Sequence, residues 1–304
     1  VALNLVQPPM LTALTAAGGL VPTADSVLSV ARAAATEAGR HMIARRGAAI
    51  ETTKLNVRDL VTAVDGECQE IIARHVRDAF PEHALLGEED IPPGPEAAAA
   101  ALDEMLQNEW LWIVDPIDGT TNFASDLPMS VVSIGVAQGG APQGAVVFDP
   151  WRDELYEAWR GGGATLNGEP ARVADARTLE EAVICSPCPN NPSAMVPAIR
   201  SIEALMPRAR SLRVLGSGVL NFAWVACGRM AAYYEHELAA WDTAAGTLLV
   251  QEAGGTVTHT DGAPFTLRTR SVLASNGHLH EALCDALRDA DAQYCETRSE
   301  CEIT

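Results

Sequence analysis

The stretch Trp110-Leu111-Trp112-Ile113-Val114-Asp115-Pro116-Ile117-Asp118-Gly119-Thr120-Thr121-Asn122-Phe123 decides how this chain is read. Its first five residues have no polar face, which predicts a strand covered on both sides. Asp115-Pro116 ends that strand, because proline lacks the N–H a ladder needs and bars a helix as well. The chain must then turn, which brings Asp118 back beside Asp115. Gly119 lets the backbone approach a ligand closely, and Thr120-Thr121 opens a short helix whose free N–H groups can receive a phosphate. Two carboxylates and a hydroxyl on one turn are hard oxygen donors, suited to Mg²⁺ rather than zinc. Taken alone, the turn is equally compatible with a solvated loop capped by an aspartate.

Upstream, Val27, Val30, Ala31, Ala34 and Ala38 recur at helical spacing and predict a helix over 26–46. A second helix follows Asp65, with Cys68, Ile71, Ile72, His75, Val76 and Ala79 as its apolar stripe and Phe80-Pro81 as its stop. Ala84-Leu85-Leu86 reads as a short buried strand delivering Gly87-Glu88-Glu89-Asp90; a Pro-rich loop and an Ala-rich helix over 96–107 follow. Downstream, strands over 129–137, 144–149 and 154–159 have meander spacing, and Gly161-Gly162-Gly163 closes this half. The remainder alternates, with strands near 182–186, 230–234, 256–259 and 271–275 and helices near 194–206, 218–227, 241–253 and the C-terminal end. The expected organisation is an arm over 1–25, one α/β domain over 26–290 in two halves (about 26–178 and 179–290), and a polar, mobile tail over 291–304.

Composition narrows the function classes. Lys+Arg 21 against Asp+Glu 40 gives a net charge of −19, and no basic cluster offers a nucleic-acid surface. So acidic a chain repels a phosphorylated substrate unless bound cations reverse the local sign. No run of about 18 apolar residues spans a membrane. The 7 cysteines are an odd, scattered set that points to a reducing compartment rather than a disulfide scaffold. Cys185-Ser186-Pro187-Cys188 is a CxxC without a second one to complete a zinc set; free thiols and a redox pair both remain open. Val1 in place of Met reads as a processed or trimmed start, and the uncharged residues 1–24 lack the basic segment of a signal peptide.

Other acidic residues are ambiguous when read singly. Glu88 has Glu89 and Asp90 beside it, as a solvated acidic loop would. Asp242, at the start of an apolar helix, has the character of an N-cap, and Asp65 precedes its helix in the same way. In combination these segments resemble the inositol monophosphatase family of lithium-sensitive magnesium phosphatases. The resemblance rests on Gly87-Glu88-Glu89, on Trp112–Phe123, and on Trp241-Asp242-Thr243-Ala244-Ala245-Gly246 continuing to Glu252-Ala253-Gly254-Gly255. Asp59-Leu60-Val61-Thr62-Ala63-Val64-Asp65 is a further family-like segment, and the resemblance spans roughly 26–290.

The resemblance implies a layered αβαβα sandwich, a homodimer and two to three Mg²⁺ ions. Glu88, Asp115 and the Ile117 carbonyl would hold the first ion; Asp115, Asp118 and Asp242 would hold the second; Glu88 would help hold a third. Gly119 and Thr120 would cradle the phosphate, and Thr120 with Asp65 would orient and activate the attacking water. Gly216-Ser217-Gly218 resembles the family loop that touches the substrate ring, with Gly218 where alanine is usual. Glu235 matches the acid that accepts substrate hydroxyls, though an exposed acid after Tyr233-Tyr234 is the alternative. Lys54 aligns with a loop lysine or is a solvated one. Ala124-Ser125-Asp126-Leu127-Pro128 departs from the family's His-containing turn.

The implied activity is hydrolysis of inositol monophosphates, a small phosphorylated polyol being the partner. The alternatives are phosphatases of fructose 1,6-bisphosphate, histidinol phosphate or adenosine 3′,5′-bisphosphate, or a non-catalytic scaffold of the same fold. Similarity to plastid members and the processed start point to the chloroplast stroma, with the cytosol as the alternative.

Overall fold

The computed structural model describes residues 20–47, 50–53, 60–189 and 192–293. Lys54, Asp59, most of the expected arm and the tail beyond 293 lie outside them. Thr23 starts helix α1 (Ala24–Ala44) with a capping box, its hydroxyl accepting from the Ser26 N–H while Ser26 reaches back to the Thr23 N–H. Strands β1 (Ile50–Thr53) and β2 (Leu60–Thr62) pair antiparallel and lead into α2 (Ala63–Ala79). Then come β3 (Ala84–Gly87), α3 (Pro95–Met105), β4 (Trp110–Asp118) and the short helix α4 (Thr120–Ala124). A meander follows: β5 (Val131–Gln138), β6 (Ala141–Asp149), β7 (Glu154–Trp159), β8 (Gly163–Leu166) and β9 (Glu169–Pro170). The rest is β10 (Val183–Cys185), α5 (Pro192–Leu205), β11 (Ser211–Arg213), α6 (Gly218–Ala226), β12 (Ala232–Glu235), α7 (Ala240–Glu252), β13 (Thr256–His259), β14 (Val272–Ser275) and α8 (His280–Asp289).

Two sheets organise these elements. The seven-stranded sheet runs β3-β4-β5-β6-β7-β8-β9, parallel only at β3–β4, and the five-stranded sheet runs β11-β10-β12-β14-β13. On β4 the side chains alternate as a doubly covered strand requires. Trp112 and Val114 pack with Val27 and Ala31 of α1 and with Ile72 and Val76 of α2, while Leu111 and Ile113 meet α3 and α7 on the other face. Helices α6 and α7 fill the space between the sheets, where Phe222, Leu248 and Leu249 meet Val147 and Tyr156 of one sheet and Tyr233 and Val272 of the other. Leu205 of α5 and Leu283 and Leu287 of α8 cover the outer face of the five-stranded sheet. The order helix, sheet, helix, sheet, helix is the expected αβαβα sandwich.

Helix α7 sits close on both neighbours because one side of each contact is a glycine. A Cβ on Gly135 of β5 would lie 2.6 Å from the Ala244 Cβ, and one on Gly246 of α7 would lie 2.5 Å from the Phe222 Cβ. A methyl at either place overpacks the layer, typically at a cost of about 1–3 kcal/mol. This close seating fixes where the first turn of α7, with Asp242, points.

Several sequence expectations are corrected. β4 does not end at Asp115-Pro116. Asp115 pairs with Ser133 and Asp118 with Val131, so the strand continues through one extra residue. Pro116, with no N–H to leave unpaired, sits in this bulge. The meander does not close at Gly161-Gly162-Gly163 but runs on into β8 and β9, and β11 carried no apolar signal because its sequence is Ser-Leu-Arg. Neither Asp65 nor Asp242 is an N-cap: each is the third residue of its helix and accepts a hydrogen bond from the cap residue's backbone N–H. Asp291 and Ala292, assigned to the tail, are packed: Asp291 pairs with Arg200 at 2.5 Å and Ala292 is fully buried.

Candidate metal and phosphate site

The bulge in β4 turns Asp115 and Asp118 to the same side, and α7 brings Asp242 to them. Ligand oxygens of the three carboxylates lie within 4.8 Å of one another. Asp115 is 2% exposed, and its Oδ1 accepts from the Ile117 N–H at 3.0 Å, which holds the bulge closed. Asp118 is 7% exposed and is met by the first turn of α6. Its Oδ1 accepts from Gly218 N–H at 3.1 Å, and its Oδ2 accepts from Val219 N–H at 2.9 Å and from the Ser217 hydroxyl. Burial pushes the Asp118 carboxyl above the usual range, while these donors at a helix N-terminus pull it back down. Asp242 Oδ2 accepts from Ala239 N–H at 2.6 Å.

Three carboxylates this close, two of them buried, repel one another when all are ionised. A small divalent cation that takes oxygen ligands removes the repulsion, so the residues fit such an ion. Glu88 is half-buried, follows β3 and lines the same cleft, but is not one of the three. The parallel register, Gly87 beside Val114, carries it to the level of Asp115.

Next to the carboxylates the chain makes a second sharp turn. Gly119 has φ +87°, and a Cβ there would lie 2.8 Å from the Met129 carbonyl, so glycine is required on both counts. It starts α4, as predicted. The Thr120 hydroxyl lies 3.0 Å from the Ile117 carbonyl and 3.4 Å from Asp65 Oδ1. Asp65 is 1% exposed, and its Oδ2 is held by the Thr62 N–H at 2.9 Å and the Thr62 hydroxyl at 2.6 Å. The Thr120–Asp65 pair therefore exists, but the shorter bond goes to the carbonyl.

Glu235 ends β12 and is buried rather than exposed, with its side chain at the cleft. Its Oε2 accepts from Cys188 N–H at 2.7 Å and its Oε1 from His236 N–H at 3.1 Å. Burial pushes its carboxyl up to about 7, against these two bonds. The CxxC thus serves through backbone. Burial raises the Cys185 thiol to about 12.

Glu88, Asp115, Ile117, Asp118, Gly119, Thr120, Gly216, Ser217, Gly218, Glu235 and Asp242 all line one cleft of about 930 Å³, with Asp65 behind Thr120. Sequence reasoning had no role for Asn122. Its side-chain N–H₂ reaches the carbonyls of Met129 at 2.8 Å and Leu215 at 2.7 Å and ties the Gly216 loop to α4. Ser217, expected in the loop that touches the substrate ring, lines the cleft, and its hydroxyl donates to Asp118. Both are long-range contacts that no local pattern announces. Among the described residues no helix is long and apolar enough to cross a membrane.

Comparison with known proteins places this geometry. The family model described as "Inositol monophosphatase family" matches residues 23–292. Inositol monophosphatase 2 of Solanum lycopersicum is 42% identical over 238 residues, which cover 77% of this chain and 88% of that protein. The Nus factor SuhB of Salmonella typhimurium is 35% identical over 267 residues, 86% of this chain and 96% of that protein. The crystal structure of the extragenic suppressor protein SuhB from Bartonella henselae superposes with a TM-score of 0.78 at 32% identity, covering 86% of this chain and 98% of that one.

Proposed function

This chain belongs to the inositol monophosphatase family and is a phosphatase, and from that premise we propose that it hydrolyses inositol monophosphates to inositol and phosphate with Mg²⁺. The observation that carries the reading is the set of three clustered carboxylates beside Gly119 and Thr120, with a buried hydroxyl acceptor, Glu235, in the same cleft. Glu88, Asp115, the Ile117 carbonyl, Asp118 and Asp242 would hold two to three ions. Bound there, Mg²⁺ supplies a Lewis acid for the phosphoryl group and lowers the pKa of the attacking water.

The chain's own residues do the rest. Gly119 opens α4 so that the backbone N–H groups at Gly119 and Thr120 receive phosphate oxygens. Thr120, in reach of Asp65 at 3.4 Å, orients the water and passes its proton toward that carboxylate. Ser217, Gly218 and Val219 hold Asp118 in one orientation, so its second-row contacts arrive preorganised. Glu235, ionised, accepts hydrogen bonds from hydroxyls of the alcohol. A homodimer in the plastid stroma completes the proposal, its first half tested by mass from light scattering and its second by imaging the tagged protein in cells.

The test is phosphate release from inositol, fructose, histidinol and nucleotide phosphates, with Mg²⁺ and with added Li⁺. Preference for inositol monophosphates and inhibition by Li⁺ are expected; preference for any other ester overturns the substrate. One observation favours a second reading, a non-catalytic regulator: some relatives are named Nus factor. A regulator would keep its function in Asp115→Asn, whereas phosphate release would vanish.

A further inference from the structure

Three tyrosines are buried among the described residues, and two have protein partners for their hydroxyls. Tyr156 donates to Glu154 at 2.7 Å and Tyr234 to the Ser201 hydroxyl at 3.0 Å. Tyr233 is 1% exposed, and among the described residues its hydroxyl makes no hydrogen bond. A tyrosine this buried ordinarily finds a partner for its hydroxyl, and that of Tyr233 is left open to the cleft. Tyr233 is also the one of the three that lines the cleft. Strand alternation explains this: Tyr233 and Glu235 project from the same face of β12, and Tyr234 projects into the outer core.

One neighbour is also left without a partner. Asn221 lies one turn into α6 on the Gly218 side, is 3% exposed and lines the cleft, and its side-chain oxygen is buried without a partner. Gly218 itself leaves the tyrosine uncovered. An alanine Cβ at that position would lie 3.0 Å from the Tyr233 hydroxyl, and the backbone cannot retreat because its N–H is bonded to Asp118.

Resting on the phosphatase reading above, we infer that Tyr233 and Asn221, uncovered by Gly218, form a second recognition point beside Glu235 for hydroxyls of the alcohol. The chemistry names the substrate class. Glu235 and the Asn221 oxygen accept, and the Tyr233 hydroxyl both donates and accepts. Such a set suits a neutral alcohol carrying adjacent hydroxyls, as in a cyclic polyol monophosphate.

The experiment compares kcat and KM for inositol 1-phosphate and for 4-nitrophenyl phosphate, which has no hydroxyls to recognise, at saturating Mg²⁺. Tyr233→Phe keeps the ring and its edge contact with Phe222 at 4.9 Å. It is expected to raise KM for inositol 1-phosphate about 5- to 10-fold, the range for one neutral hydrogen bond, and to leave the nitrophenyl ester within about twofold. Asn221→Leu, of similar volume, should again raise only the inositol KM. Equal losses on both esters, or no change on either, would overturn the recognition point while leaving the phosphatase reading intact. Wild-type release from neither ester would overturn both.

Discussion

The bulge of β4 and the end of β12 each present a buried carboxylate to the same cleft, and the two are handled differently. Asp118 and Glu235 are each 7% exposed. Burial raises both carboxyls above the usual range. At Asp118 it is opposed by a hydroxyl and two amides from the first turn of a helix, and Asp115 and Asp242 stand beside it. At Glu235 it is opposed by two backbone amides alone, and the carboxyl stands at about 7. On the reading proposed above, the first, charged cluster serves phosphoryl chemistry and the second site recognises the alcohol.

The hardest test of that separation is Asp118→Asn or Asp115→Asn. Loss of Lewis-acid stabilisation worth several kcal/mol predicts a fall in kcat of about 10³-fold or more, with the circular dichroism spectrum unchanged. Activity within tenfold of wild type would mean the charged end is not the chemical end. Chelation should act alike: EDTA abolishes release, Mg²⁺ restores it, and the thermal midpoint falls without the ion because a native-state ligand has been removed.

Ser217→Ala leaves every carboxylate in place and removes only an orienting hydrogen bond. A 10- to 100-fold loss in Mg²⁺ affinity or activity is expected, the usual range for partners of metal ligands. A titration in Mg²⁺ reads it directly, and an unchanged curve would show that the helix amides alone hold Asp118.

Glu235→Gln addresses the other end, with an effect of about tenfold in KM and little in kcat. The pH dependence has a definite sign. A glutamate raised from 4.5 to about 7 binds more protons folded than unfolded, so its contribution to stability is lost as pH rises from about 4.5 through 7. Above that window the metal-free Gln variant should be more stable than wild type, on the order of 1–3 kcal/mol by urea melts. Substrate binding runs the opposite way and should tighten as Glu235 ionises; a pH-independent KM in the wild type would contradict its role. The smallest effect belongs to the exposed rim: Arg268→Ala breaks the 2.6 Å pair with Asp103 and should change stability by under about 1 kcal/mol.

Much of the fold was readable in the chain because its signals are local. The unbroken apolar face of Trp110–Val114 required cover on both sides, and Ala31, Ala34 and Ala38 set a helix stripe. Asp115, Asp118, Gly119 and Thr120 sit within one turn of chain, so their convergence follows from proline and glycine chemistry. The manner of it did not: a bulge and a terminated strand both satisfy a proline, and register with β5 selects between them. Asp65 and Asp242 looked like caps because an aspartate in a first turn stabilises a helix from several positions.

The chain therefore determined the layered architecture, the hard-oxygen character of the site and the need for cations in a protein of net charge −19. Those are properties of composition and of residues a few positions apart. Tertiary packing determined that Asp242 reaches Asp115, that Ser217 serves Asp118, that Glu235 is dry, and that the Tyr233 hydroxyl faces the cleft under a residue without a side chain. Each joins segments tens of residues apart, and burial and partner geometry across such distances are set only when the two sheets close on α6 and α7.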